Sequence, residues 1–344
     1  MKTGQWLLLL ALPLWFGCKS ASPPTSDVRP PTADVRPATV STNISPYLRI
    51  AHPTTNLSEL QVAVRQFVPH TQSQPVVWLV GVSHVGESNY YARLQKLLNA
   101  QELVLFEGVT DRASRAAGRK NFEKSDEDLG SLQNTMAESL GLAFQLDAID
   151  YERPHFRNSD LTIEQIAQLI AKEGPPGGSR QSKTAKEFQN LLEMMQGDSL
   201  VATLVGAAMK LIGSSPKVQA MMKLMMIEVL GRFEGDMSQF QGLPPEWQRL
   251  IQILIHARNE AVLKDLQTEL RKRTPPKSIA VFYGAAHMED MERRLRRDLG
   301  YLPGREEWFS AFSVDLAKNQ ITGDEVKFIQ SFVDWQMEML EKPN

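Results

Sequence analysis

The sequence predicts an α/β protein in which a mostly parallel central sheet is flanked by helices. Short apolar runs rich in β-branched residues occur at 75–80, 103–106 and 278–283, as is typical of strands buried on both faces. A helical pattern separates the first run from the second, which predicts a right-handed βαβ unit. Helical patterns fill residues 161–273 and predict a helical insertion before the last run.

Other segments complete the predicted order of elements. The apolar spacing of Leu57 to Phe67 favours a short amphipathic helix, and Leu146 to Ile149 favours a third strand that ends at Asp150. We expect a closing strand over 308–314 and a closing helix over 325–340. Within the helical insertion, separate helices are expected at about 161–172, 184–196, 199–213, 216–231 and 245–272.

Composition excludes several classes of partner and site. Of the 344 residues, 23% are charged and 42% are hydrophobic, and the net charge of −2 gives no basis for binding nucleic acid. The single cysteine, Cys18, lies near the N-terminus, so the rest of the chain can form neither an internal disulfide nor a thiolate metal site. A metal in the folded body would therefore need His, Asp or Glu ligands.

Residues 1–18 predict a signal peptide with a lipobox-like end. A basic start precedes an apolar run from Trp6 to Phe16, which is too short to span a bilayer. Gly17-Cys18 then resembles the site at which bacterial lipoproteins are cleaved and lipidated; the alternative is an ordinary secretory signal cut near Ala21. We expect a protein of the bacterial cell envelope, anchored to the membrane through Cys18 and facing the periplasm or the exterior.

A tether is predicted between this leader and the folded body. Residues 19–45 are rich in Pro, Ser and Thr and contain almost no large apolar side chains. Such a segment cannot bury enough surface to fold, so we expect it to be disordered and extended. The folded domain is then expected to comprise residues 46–344.

A repeated motif carries the chemistry of the predicted site. An apolar strand runs into Gly81-x-x-His84 and then a helix, and about two hundred residues later another runs into Gly284-x-x-His287 and a helix. Glycine allows the backbone to turn sharply as it leaves a sheet, and the carboxyl ends of parallel strands share one edge. Glu107 ends the intervening strand, so two imidazoles and one carboxylate are expected there, as in catalytic zinc sites. The alternative is that both histidines cap helices, with their rings bonded to the backbone.

These segments resemble the motifs of a known family. Residues 77–84 and 103–107 resemble the opening signature of the TraB/GumN/Tiki family, 256–260 resembles its Arg-Asn helix, and 281–287 resembles its second motif. The resemblance covers residues 75–300 and extends to a superfamily with erythromycin-esterase-like enzymes and haem-binding ChaN-like lipoproteins. It implies that the two histidines and the glutamate are metal-binding and catalytic residues, as proposed for Tiki-type metallopeptidases.

Further polar residues are candidates for the same site. Arg258 could pair with Glu107 or stabilise an oxyanion, and Asn259 could donate a hydrogen bond to a substrate. A buried Arg–carboxylate pair that fixes a helix to the sheet is the alternative for Arg258. Asp150 and His155 lie in or beside a polar loop after the predicted third strand and form a possible additional site.

The sequence is compatible with three functions. The first is a metal-dependent hydrolase of peptidase or amidase type, in which a divalent ion (zinc, manganese or cobalt) activates water and the substrate is a peptide or a small molecule. The second is a non-catalytic lipoprotein that binds haem or a metal. The third is a signalling or interaction protein of the TraB type.

The lipid anchor predicts the behaviour of one variant. Cys18→Ser should abolish labelling by a fatty-acid analogue and leave a soluble or uncleaved precursor, because the variant lacks the thiol that carries the lipid. Metabolic labelling and membrane fractionation measure both effects. Unchanged labelling and fractionation would contradict a lipoprotein.

Overall fold

A computed structural model describes residues 44–71, 73–108, 131–172, 212–232 and 245–341, together with 186, 188 and 190. The leader with Cys18, nearly all of the predicted tether, and most of the helices expected at 184–196 and 199–213 lie outside these residues. Among the described helices, none is both long and apolar enough to cross a membrane.

The described chain is built around a seven-stranded sheet and confirms the α/β class, with a mostly parallel centre. Its strands lie in the order β1-β2-β3-β8-β5-β7, and β9 pairs with β2. Two further strands, β4 and β6, form a separate small sheet. The strand bounds are β1 Leu48–Thr54, β2 Leu57–Val68, β3 Val76–Val82, β4 Val85–Gly86, β5 Leu103–Phe106, β6 Ala143–Phe144, β7 Phe156–Asn158, β8 Ser278–Gly284 and β9 Leu302–Asp315.

Helices accompany the sheet along the chain. A π-helical turn, Ile253–Ala257, precedes α7, and a 3-10 turn, Ala285–His287, precedes α8. The helix bounds are α1 Ser88–Asn99, α2 Ser131–Leu140, α3 Gln145–Ala148, α4 Ile163–Lys172, α5 Pro216–Gly231, α6 Pro245–Gln252, α7 Arg258–Leu270, α8 Met288–Leu299 and α9 Gly323–Glu341.

The three continuous apolar runs are confirmed as strands, and the closing strand and closing helix are confirmed as parts of β9 and α9. The helix predicted at Leu57 to Phe67 is wrong, because this segment is the long strand β2. Leu60, Val62 and Val64 alternate along β2 and are fully buried between its neighbours. The pairing partner β9 lies more than two hundred residues away, so a local apolar pattern could not reveal it.

The strand predicted at Leu146 to Ile149 is also wrong. Gln145–Ala148 forms the short helix α3, and the strand that pairs with β5 is β7, eight residues further on. Short apolar runs do not distinguish a strand from a buried helical turn, because neither periodicity has room to develop. This correction moves the end of the outermost parallel strand from Asp150 to Asn158.

The glycine of the first motif serves close packing rather than a sharp turn. Gly81 lies inside β3, and positive φ among the described glycines is confined to Gly141 and Gly300. A β-carbon at position 81 would lie 3.0 Å from the carbonyl oxygen of Ala63 on β2. Glycine therefore allows the backbones of the two strands to approach each other at the base of the motif.

The order of the parallel strands positions the site. β3, β8, β5 and β7 are successive neighbours in the sheet and all run in the same direction. Titratable residues follow their carboxyl ends in the same order: His84, His287, Glu107 and Asp160. Open α/β sheets bind their ligands at this edge.

Candidate functional site

Three of the predicted site residues surround Gly284 at the end of β8. A β-carbon added to this glycine would lie 3.3 Å from Glu107 Oε2, 3.5 Å from His84 Nε2 and 3.8 Å from His287 Cδ2. All three atoms therefore lie within 4 Å of one point. Gly284 has a negative φ, so the absence of a side chain matters here because it leaves space among the three residues.

Glu107 is a buried carboxylate with a donor on each oxygen. Its Oε2 accepts the backbone N–H of Gly284 at 2.6 Å, and its Oε1 accepts Nη2 of Arg258 at 2.6 Å. Burial alone would raise the pKa of Glu107, but the charge of Arg258 outweighs it and holds that pKa far below its usual range. The carboxylate is therefore anionic and a weak proton acceptor.

Arg258 joins two carboxylates rather than facing open space. Its Nε donates to Asp160 Oδ1 at 2.9 Å, and its Nη2 donates to Asp160 Oδ2 and to Glu107 Oε1, both at 2.6 Å. The guanidinium side chain is only 3% exposed. Arg258 is therefore part of a buried ion-pair network with two carboxylates, as the first of its expected roles requires.

His287 is fully buried and is oriented by an amide. Its Nδ1 bonds to Asn259 Oδ1, and Asn259 Nδ2 donates to Asp290 Oδ2 at 2.9 Å. A carboxylate only accepts, so this bond fixes the amide orientation, and Nδ1 of His287 must carry the proton. Asn259 is itself fully buried and supports His287 through this bond.

The other ring nitrogen of His287 points into the site. Nε2 is a buried atom that accepts no hydrogen bond from the described residues, and it lies 3.7 Å from Glu107 Oε1. Burial lowers the pKa of His287 against the opposing charge of Glu107, which favours the neutral imidazole. A neutral ring with a free Nε2 lone pair is the form that binds metals.

His84 repeats this arrangement at the partly exposed side of the cluster. Its Nδ1 lies 2.7 Å from Oε1 of Gln145, and Gln145 Nε2 donates to the hydroxyl of Tyr151 at 2.7 Å. This orientation leaves Nε2 of His84 directed at the space beside Gly284. Both histidines thus have an amide oxygen at Nδ1 and present Nε2 or its neighbouring carbon to the same point.

The possible additional site is not part of this cluster. Asp150 lies in an exposed turn, where it pairs with Arg153 at 2.8 Å. His155 precedes β7, and its carbonyl oxygen accepts the N–H of Val104 at the beginning of β5. His155 is therefore at the amino end of the parallel strands, whereas Glu107 follows their carboxyl end.

In the described part of the chain, no group of three or more His, Cys, Asp or Glu side chains is arranged so that it could hold a metal ion. Both oxygens of Glu107 are engaged by Gly284 and Arg258, which explains why this carboxylate is not poised as a free ligand. The two imidazole rings nevertheless face one space. The buried Nε2 of His287 lacks the partner that such an atom normally has, and an ion would supply it.

A cavity of about 730 Å³ lies beside the cluster, between α4 and α7. Asp160 and Ser159 form its buried floor, and Glu164, Glu260 and Lys264 are among the residues of its walls. The cavity shares Asp160 with the ion-pair network, but it does not contain the two histidines. Its volume is in the range of cavities that hold small ligands.

Comparison with protein-family models, curated proteins and solved structures finds no match for the chain in any of the three. The functional argument therefore depends on the geometry and chemistry of the site.

Sequence reasoning missed Asp160, Gln145 and Asp290. Asp160 follows β7. Had β7 been predicted, Asp160 would have been a candidate for the same reason as Glu107, because both follow the carboxyl end of a parallel strand. Gln145 directly precedes the segment Leu146 to Ile149, which was predicted as a strand, but it is the first residue of the helix α3. Asp290 lies one turn after His287 on α8, and only the folded contact with Asn259 shows its role.

The ion-pair network predicts the effect of removing its cation. Arg258→Met should lower the free energy of unfolding by about 3–5 kcal/mol, because Glu107 and Asp160 would remain buried without a countercharge. Chemical denaturation at pH 7 measures this loss. Arg297→Met is the matched control, since Arg297 is exposed and forms its ion pair within the described chain with its neighbour Asp298, so a change below about 0.5 kcal/mol is expected.

The pH dependence gives this prediction a second test. In the native protein Glu107 has a lowered pKa, so its contribution is present above the ordinary glutamate pKa of 4.5 and is lost as the pH falls. Without Arg258, burial would raise that pKa and the protonated carboxyl would be tolerated. The difference between the native protein and Arg258→Met should therefore shrink as the pH falls towards 4.5. A difference that does not vary with pH would contradict the electrostatic explanation.

Proposed function

We propose that this protein is a metal-dependent hydrolase of peptidase or amidase type, with a divalent ion held by His84 and His287. One observation carries the proposal: both rings have an amide oxygen at Nδ1 and converge beside Gly284, next to an anionic glutamate. Metal-binding histidines are commonly oriented in this way by an acceptor on the second ring nitrogen. Zinc, manganese and cobalt all suit a site of imidazoles and carboxylate.

Each residue of the cluster has its own role in this proposal. His84 and His287 would hold the ion through Nε2, and Glu107 supplies the negative charge beside it, as a third ligand or as an electrostatic partner. Its strongly lowered pKa favours these roles over that of a general base, because an efficient base has a pKa near the working pH. A bound divalent ion supplies Lewis acidity and makes water a nucleophile at neutral pH. Arg258 and Asn259 act as positioning residues.

The cavity between α4 and α7 supports a substrate of peptide or small-molecule size. Two of its lining residues, Ser159 and Asp160, follow the carboxyl end of β7, and the guanidinium of Arg258 joins Asp160 to Glu107. A substrate seated there would lie beside the cluster and in contact with the network that fixes Glu107.

Two further parts of the proposal concern family and place. The ordered motifs that end at His84, Glu107 and His287 support membership of the TraB/GumN/Tiki family. The lipobox-like end at Cys18 supports a lipid-anchored enzyme that acts at the bacterial cell envelope. Neither part is needed for the metal chemistry, which depends on the folded body.

The packing of the cluster favours an ion over a haem. Side-chain atoms of three residues already lie within 4 Å of the space beside Gly284, and His287 is fully buried. An ion fits between such side chains, whereas a macrocycle would need an open slot against one of the rings.

Elemental analysis tests the proposal. The full chain, loaded separately with zinc, manganese and cobalt and then desalted, should retain close to one ion per chain with at least one of these metals. His84→Ala and His287→Ala should each lose most of that ion, because two imidazoles provide the neutral ligands of the site. Hydrolysis of a panel of peptide and amide substrates should disappear on chelation and return when the metal is restored.

His52→Ala is the matched control, because His52 is an exposed histidine on β1. It should leave metal content and hydrolysis unchanged. The proposal fails if the native chain retains none of the three metals, or if the double variant of His84 and His287 retains as much metal as the native chain.

A further inference from the structure

The small sheet of β4 and β6 places a glutamine opposite His84. Val85 pairs with Phe144 and Gly86 pairs with Ala143 in an antiparallel register. Continued by one residue, this register sets His84 opposite Gln145. The backbone confirms the pairing, because the N–H of Gln145 donates to the carbonyl oxygen of His84 at 2.9 Å.

Gln145 is therefore attached to His84 through both its backbone and its side chain. The side-chain contact joins Oε1 to Nδ1 of His84 at 2.7 Å. Gln145 is 2% exposed, so its amide has little access to water as an alternative partner. An amide oxygen only accepts, so with Oε1 at this position Nδ1 of His84 carries the proton.

Tyr151 fixes the far end of that amide. Its hydroxyl accepts Nε2 of Gln145 at 2.7 Å. Its ring packs against aromatic side chains of three parallel strands, with centroid separations of 4.9 Å to Phe106, 6.4 Å to Phe156 and 6.3 Å to Phe282. The orientation of His84 is thus connected to the centre of the sheet through two side chains.

We propose that Gln145 and Tyr151 are positioning residues that hold His84 as the Nδ1–H tautomer and so present its Nε2 lone pair to the ligand space beside Gly284. The part of this inference that concerns metal affinity rests on the proposed function. The part that concerns the tautomer does not, because it is a property of the chain without a metal.

His84 needs these two positioning residues because it is more exposed than His287. His287 is enclosed, and Asn259 and Asp290 fix its ring from within the fold. His84 is partly exposed and follows β3 in a loop, so water could compete for its Nδ1 and release the ring. Gln145 supplies for His84 what Asn259 supplies for His287.

Two readouts test the inference in the full chain. The first is the tautomer of His84 in EDTA, from two-bond ¹H–¹⁵N spectra of ¹⁵N-histidine-labelled protein, with the His84 signals assigned by their loss in His84→Gln. The native chain should show the Nδ1–H form, and Gln145→Met should convert His84 partly or wholly to the Nε2–H form. Gln145→Glu keeps an acceptor oxygen and should retain the Nδ1–H form.

The second readout is zinc affinity, measured by competition with a chelator. Gln145→Met should weaken binding by about 10- to 100-fold, the usual effect of removing an orienting partner. Tyr151→Phe should weaken it less, because Gln145 keeps its backbone bond to His84. Gln101→Met is the matched control, since Gln101 is another buried glutamine, bonded to Leu97 at the end of α1, and should leave zinc affinity unchanged.

The outcomes separate this inference from the proposed function. A native chain that retains none of zinc, manganese and cobalt but shows the Nδ1–H tautomer, lost in Gln145→Met, would refute the hydrolase and support the positioning role. An Nε2–H tautomer in the native chain, or an unchanged tautomer in Gln145→Met, would overturn the positioning role. So would equal losses of zinc affinity in Gln145→Met and Gln101→Met.

Discussion

The buried guanidinium of Arg258 lies between Asp160 and Glu107, and the remaining contacts of the site depend on it. Glu107 is nearly inaccessible to water, so without a countercharge it would be protonated or would destabilise the fold. With Arg258 in place it is ionised, accepts the N–H of Gly284 and lies beside both histidines. One helix, α7, therefore determines the charge at the carboxyl edge of the sheet.

The same helix also determines the form of one histidine. Asn259, the residue after Arg258, holds Nδ1 of His287 and is itself held by Asp290 on α8. Two adjacent residues thus contact a carboxylate after β5 and an imidazole after β8. On the other side of the cluster, Gln145 and Tyr151 orient His84 from a different part of the chain. A site supported from two directions keeps its donor atoms aimed at one space before any ligand arrives.

The sequence predicted the central strands and the residues at their ends because both signals are local. Continuous apolar runs identified β3, β5 and β8, and the rule that parallel strands end at one edge brought His84, Glu107 and His287 together. Strand β2 was misread because its burial comes from pairing with the distant β9. Strand β7 spans only Phe156–Asn158, which is too short for a periodic pattern. Because β7 was not predicted, Asp160 was not predicted as a residue of the site. The contact of Gln145 with His84 depends on the register between β4 and β6. These strands are far apart in the sequence, so a local pattern could not predict it.

The central claim is that His84 and His287 share one divalent ion. Anomalous diffraction from crystals of the zinc-loaded chain, recorded on both sides of the zinc absorption edge, measures this most directly. We expect one strong peak beside Gly284, at about 2.0–2.1 Å from Nε2 of each histidine, with Glu107 next to it. A cluster without a peak, or a zinc ion bound elsewhere or by only one of the two rings, would contradict it.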